Sequence, residues 1–282
     1  GRAANGEVGN TAGTRAGAGG MRIEVTIPGE DDGYQSFLET KVFIGPSSGK
    51  AVSADQFHPQ AFEFQRDITR WALRKGRAAI FAATGMGKTL MQLEWARHAA
   101  DHVLIVAPLG VAHQTVREGI RWGIPVHYVR DQSDLNDTDR LVITNYEMIG
   151  HFDPAAFGAI VLDESSILKS FDGKTRSRLI QQFQATPMRL CCTATPAPND
   201  IAEMGNHAEF LGVMTRSEML ASFFVHDQLG WRLKKHAREV FYRWLASWSL
   251  SITMPSDLGY DDGDFALPPL TVTPIFVDTD YI

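Results

Sequence analysis

The stretch from Ala78 to Ala100 constrains this chain more than any other. Ala78–Ala82 is a strand-sized apolar run, Ala83-Thr84-Gly85-Met86-Gly87 follow it, and Lys88-Thr89 open a helical pattern that continues to Ala100. A small residue, four spacers and Gly-Lys-Thr between a strand and a helix is the pattern of a loop that wraps phosphate, with Ala82 standing where a first Gly is usual. Gly85 and Gly87 let backbone N–H groups curl around phosphate oxygens, and the helix start adds a favourable dipole. The residues that line such a loop are Thr84, Gly85, Met86, Gly87, Lys88 and Thr89. Lys88 is placed to reach the β- and γ-phosphates, and the Thr89 hydroxyl to ligate Mg²⁺.

A second signal agrees with the first. Ala159–Leu162 is an apolar run that ends in Asp163-Glu164, 75 residues beyond Lys88. That spacing leaves room for two strand–helix units. An acidic pair at a strand end suits metal-assisted hydrolysis: Asp163 holds Mg²⁺ and Glu164 orients and deprotonates the attacking water. The expected ligands of these two signals are therefore nucleotide phosphates and Mg²⁺.

The intervening pattern sets the fold class. Five short apolar runs read as buried parallel strands: Ala78–Ala82, Val103–Ala107, Leu141–Thr144, Ala159–Leu162 and Arg189–Thr193. Helical patterns lie over Phe62–Leu73, Thr89–Ala100, Val111–Trp122 and Thr175–Phe183. Strands alternating with helices predict an α/β protein, a mostly parallel sheet with helices on both faces. Ligands in such sheets sit at the carboxyl ends of the strands, where both signals fall. After Asp200 the pattern turns helical and aromatic, and Trp231–Trp248 reads as one helix with Leu233, Ala237, Val240, Phe241, Trp244 and Trp248 on a core-facing side.

Composition excludes other classes. The longest apolar runs are far short of the roughly 18 residues a membrane helix needs. Net charge is −6, from 27 Lys and Arg against 33 Asp and Glu, so no global basic footprint announces nucleic acid. Both cysteines, Cys191 and Cys192, are adjacent in a predicted strand, which argues for core packing and a reducing compartment rather than a disulfide framework. Residues 1–20 hold 7 Gly and 5 Ala and read as a disordered tail without an apolar signal-peptide segment.

Further segments fall in an order that resembles the first RecA-like lobe of a superfamily 2 helicase or translocase. The likeness is to the Swi/Snf-type group, particularly the compact versions carried by bacteriophages. Phe64-Gln65-Arg66 resembles the Q motif, Val106-Ala107-Pro108-Leu109 motif Ia, Thr144-Asn145-Tyr146-Glu147 motif Ib, Asp163-Glu164-Ser165-Ser166 the acidic box, and Thr193-Ala194-Thr195-Pro196 motif III. The resemblance implies a RecA-like P-loop NTPase. In it Gln65 reads the adenine edge, motif Ia touches the nucleic-acid backbone, and Thr193 and Thr195 couple hydrolysis to lobe movement. It implies a DNA-dependent ATPase that moves on duplex DNA, in the cytoplasm of a bacterial or phage-infected cell.

The expected organisation is a tail (1–20), an N-terminal extension (21–55), a RecA-like ATP-binding lobe (56–214), a helical extension (215–264) and the start of a linker or strand toward a second lobe (265–282). Leu267-Pro268-Pro269 resembles the segment leading into that lobe, whose motifs do not follow, so hydrolysis is expected to be incomplete without it. Lys169, Lys174, Arg176 and Arg178 form a solvated positive run whose other reading is DNA contact. Two rival functions stay open: a P-loop enzyme that phosphorylates a small molecule, and an ATP-binding lobe without turnover of its own.

Overall fold

A computed structural model describes residues 47–170, 173–228 and 230–265. The Gly/Ala-rich tail, most of the N-terminal extension and Leu267-Pro268-Pro269 lie outside them. Helix α1 (Glu63–Lys75) leads into β1 (Arg77–Ala82), α2 (Lys88–Ala99), β2 (Val103–Ala107), α3 (Leu109–Arg121), β3 (His127–Tyr128) and β4 (Leu141–Asn145). Then come β5 (Ala159–Asp163), α4 (Gly173–Gln182), β6 (Met188–Thr193), α5 (Met204–Leu211) and α6 (Arg216–Phe223). A hairpin of β7 (Phe224–Asp227) and β8 (Gly230–Leu233), helix α7 (Arg238–Ala246) and β9 (Ser249–Ile252) complete the order.

Seven strands form one sheet in the order β3-β4-β2-β5-β6-β1-β9, with every pairing parallel. Because successive strand residues point to opposite faces, each central strand feeds two cores. Ala78, Ile80, Ala82, Val103, Ile105, Val161 and Cys192 pack on one side with α1, α2 and α3. Ala79, Phe81, Leu104, Val106, Leu162 and Cys191 pack on the other with α4, α5, α6 and α7. The adjacent cysteines thus enter opposite cores as free, buried thiols, and burial raises the pKa of both. Among the described residues no helix is long and apolar enough to cross a membrane.

The five predicted strands and four predicted helices are all present, with ends displaced by one or two residues. Two strands of the seven-stranded sheet were not predicted, nor was the β7–β8 hairpin. Edge strand β3 has only two residues, and β9, Ser-Leu-Ser-Ile, is held by parallel register to β1, with Ala79 opposite Ser249. The single helix expected over Trp231–Trp248 is corrected. Residues 230–233 are a strand, with Phe224 opposite Leu233 and His226 opposite Trp231, and α7 covers only Arg238–Ala246. Gly230, at φ 103°, begins the return strand in a conformation that side chains disfavour, and Lys234 N–H bonds to Phe223 O at 2.9 Å. The core-facing role of Ala237, Val240, Phe241, Trp244 and Trp248 holds, since all are buried. The 215–264 segment is accordingly not a purely helical appendage, because β9 belongs to the main sheet.

Candidate nucleotide site

The loop between β1 and α2 takes the shape its glycines permit. Gly85 has φ 93° and Gly87 φ 77°, both in the region that side chains resist. At Gly87 space is also limiting: a Cβ there would lie 2.2 Å from Gln65 Nε2. Helix α2 begins at Lys88, its first turn closed by Met91 N–H to Gly87 O at 3.1 Å. The N–H groups of its first turn have no earlier carbonyl in the helix, which suits an anion.

Parallel topology brings the acidic pair beside this loop. Lys88 Nζ forms a short ion pair with Glu164 Oε1 and lies 3.8 Å from Asp163 Oδ1. Burial opposes the Lys88 charge, but Asp163 and Glu164 outweigh it and hold the ammonium above its ordinary pKa. Asp163 is almost fully buried, and burial raises its carboxyl pKa against the pull of Lys88 and Gln92. Its oxygens are both addressed: Glu164 N–H donates to Oδ1 at 2.9 Å and Gln92 Nε2 to Oδ2 at 3.1 Å. Tyr146 donates its hydroxyl to the Asp163 carbonyl at 2.8 Å.

Glu164 is the one non-glycine residue with positive φ among the described residues, at 50°. A left-handed turn costs an L-residue about 1–2 kcal/mol, and such strain collects at functional sites. It aims the carboxylate between two donors: Lys88 on Oε1 and Thr193 Oγ1, at 3.1 Å, on Oε2. Thr195 N–H donates to Thr193 Oγ1 at 3.2 Å, so both threonines of the predicted coupling motif join one chain of bonds ending at Glu164.

Lys88, Thr89, Asp163 and Glu164 line one cleft of about 540 Å³ with Thr84, Gly85, Gly87 and Gln65. Of the predicted loop residues, Met86 turns its side chain into the core and offers its carbonyl to Gln65 Nε2 at 3.0 Å. Gln65 Oε1 accepts from Phe62 N–H at 3.0 Å. Its amide therefore braces the loop, with one further donor and one acceptor position left for a ligand. The same cleft is also lined by Phe62, Phe265, Val111 and Trp122, apolar side chains suited to a planar base. Phe62 is 48% exposed, and its ring meets Phe265 edge-on at 4.9 Å.

An oxygen donor set suits a hard divalent cation. One buried carboxylate (Asp163) and one hydroxyl (Thr89) match the sparse protein ligation of Mg²⁺ that also holds phosphate oxygens. Among the described residues no group of three or more His, Cys, Asp or Glu forms a metal cluster of its own.

Sequence reasoning missed Gln92, Tyr146 as a hydroxyl donor, the aromatic side chains that line the cleft, and His207. Gln92 lies one helical turn beyond Lys88, so the i, i+4 rule was an available signal. His207 had none. It is buried on α5, and its Nε2–H donates to the carbonyl of Pro196, in the motif III segment, at 3.1 Å. Burial lowers its pKa from 6.5 to about 4. The unfolded chain binds this proton first as pH falls, so stability contributed by the neutral ring is full above pH 6.5 and lost down to about pH 4. The loss amounts to about 3 kcal/mol. Urea midpoints of wild type should drop between pH 7 and pH 5 more steeply than those of His207→Gln; parallel slopes would exclude the linkage.

The fold and the motif order define the first RecA-like lobe of a superfamily 2 helicase. The family model described as "Type III restriction enzyme, res subunit" matches residues 56–198, just over half of the chain, and the chain belongs to that family. No curated protein sequence matches it. Among solved structures, the Sulfolobus solfataricus SWI2/SNF2 ATPase core in complex with dsDNA is similar at 17% identity and TM-score 0.59. That likeness covers 72% of this chain and 47% of that one. The Sulfolobus solfataricus SWI2/SNF2 ATPase core domain is similar at 16% identity and TM-score 0.57, covering 75% and 49%. This chain thus spans about half the length of the ATPase cores it matches. The UvsW helicase from Bacteriophage T4 is similar at 14% identity and TM-score 0.47, over 60% and 68% of the two chains; at that level it decides nothing about a bacteriophage subgroup.

Proposed function

We propose that this chain is the ATP-binding lobe of a DNA-dependent ATPase that couples hydrolysis to movement on duplex DNA. The observation that carries the reading is the meeting of Lys88, Asp163, Glu164 and Thr193 at the carboxyl ends of β1, β5 and β6. Thr84 to Thr89 cradle the phosphates, and Gln65 presents its remaining donor and acceptor to the adenine edge. Thr89 and Asp163 hold Mg²⁺, which when bound neutralises developing charge on the phosphate oxygens. Glu164 takes the proton of the attacking water. Thr193, bonded to Glu164, links that carboxylate to the 193–196 turn and so to movement between lobes.

In this reading residues 56–214 form the lobe and 215–264 an extension tied back to it through β9, with 265–282 leading toward a second lobe. The arginine finger and half of the DNA track belong to that second lobe, in keeping with a span of about half the matched ATPase cores. A finger of that kind is worth about 10³–10⁵ in rate. The match of residues 56–198 to the restriction-enzyme family model favours this reading over a small-molecule kinase. The site of action is proposed to be the cytoplasm.

The test is ATP binding and hydrolysis with and without duplex DNA, for this chain alone and joined to a second lobe. Binding by the chain alone, with DNA-stimulated turnover only in the joined protein, is the expected result. Turnover without any DNA stimulation in the joined protein would point to the kinase reading instead. For the base, Gln65→Ala should narrow the preference for ATP over GTP by about tenfold, the worth of one good hydrogen-bond pair. Competition titrations with the two nucleotides measure it, and an unaltered ratio removes Gln65 from base reading.

A further inference from the structure

Gln92 is fully buried on α2, among residues that pack as hydrophobic core: Met91, Leu93, Trp95 and Ala96. An amide there is costly, since its Oε1 is buried with no hydrogen-bond partner. Packing alone would favour leucine or methionine at this position. What the amide supplies is one bond, Nε2–H to Asp163 Oδ2 at 3.1 Å. The other Asp163 oxygen, Oδ1, is held by Glu164 N–H at 2.9 Å and faces Lys88 at 3.8 Å. With a donor on each oxygen, the carboxylate plane has one orientation. The two donors come from different elements, α2 and the turn after β5, so neither alone fixes it.

We infer that Gln92 is a positioning residue that orients the Asp163 carboxylate for a divalent cation, setting metal affinity rather than nucleotide affinity. This rests on the reading of Asp163 as a metal-holding residue. Groups that hold a ligating carboxylate from behind alter metal affinity about 10–100-fold when removed. Because Gln92 is one helical turn beyond Lys88, the helix that begins at the phosphate loop also carries the brace for the metal carboxylate.

The test measures Mn²⁺ binding to the full chain by electron paramagnetic resonance, with a non-hydrolysable ATP analogue present. Gln92→Met keeps the volume and removes the amide. Gln92→Asn keeps an amide one carbon too short to reach, and serves if the Met variant does not fold. Asp163→Asn is the control for the underlying reading. The expected result is a Mn²⁺ half-saturation about 10-fold higher in the Gln92 variants, with metal-free affinity for the analogue unchanged. Mn²⁺ affinity equal to wild type overturns the inference. A parallel loss of metal-free nucleotide affinity overturns it too, since general damage to α2 would then explain both. If Asp163→Asn binds Mn²⁺ as wild type does, the assignment of Asp163 itself fails, and the role of Gln92 with it.

Discussion

Lys88→Ala should weaken ATP binding by about 10²–10³-fold, on the scale of one lost charge-assisted hydrogen bond and an uncompensated acidic pair. Without a nucleotide, the ammonium is the cation beside two carboxylates, Asp163 and Glu164. Removing it leaves their charge facing the triphosphate, so repulsion adds to the lost contact. Asp163, almost fully buried, keeps its bonds from Gln92 and the Glu164 N–H, so the fold should survive. Equilibrium titration with a fluorescent ATP analogue, beside near-ultraviolet circular dichroism as a fold control, measures the effect. An affinity equal to wild type would remove the phosphate-loop assignment and most of the proposed function with it.

Glu164→Gln should do the reverse, retaining ATP binding while lowering turnover by about 10²–10⁴-fold, the usual worth of a general base. The substitution preserves size and the left-handed backbone turn. It changes what the side chain can accept. Glu164 receives Lys88 on one oxygen and Thr193 on the other, whereas a glutamine has a single carbonyl oxygen for those two donors. Lys88 is then released from its ion pair, so nucleotide affinity is expected to hold or rise. The measurement is single-turnover phosphate release in a two-lobed protein saturated with duplex DNA. Retained turnover would mean that another group activates the water.

Legibility followed the range of the interactions. The phosphate loop is a local statement: Gly85 and Gly87 supply the positive φ, and the strand before and helix after are visible in their periods. The acidic pair was readable because β5 is buried on both faces and ends abruptly in charge. Gln65 lines the same cleft as the glycine-rich loop, yet its use as a brace on Met86 O was not readable, because that bond joins residues 21 apart across a helix and a strand. The helix expected over Trp231–Trp248 failed at its start. The apolar spacing there fits a helix, but cross-strand pairing with 224–227 holds residues 230–233 extended.

The sequence by itself determined the α/β class, the order of five strands and four helices up to β6 with the two-residue edge strand β3 left out, and the segments that carry the glycine-rich loop and the acidic pair. Each of these is encoded in a continuous segment, by hydrophobic period or by residue types that a particular backbone turn requires. Only the tertiary structure decided that β9 closes onto β1, that Gln92 holds Asp163 and that Thr193 holds Glu164. It also decided that His207 reaches the motif III turn. Those contacts join segments distant in the chain or separate elements of the fold. A four-residue strand or a lone buried amide carries no local preference strong enough to announce its partner.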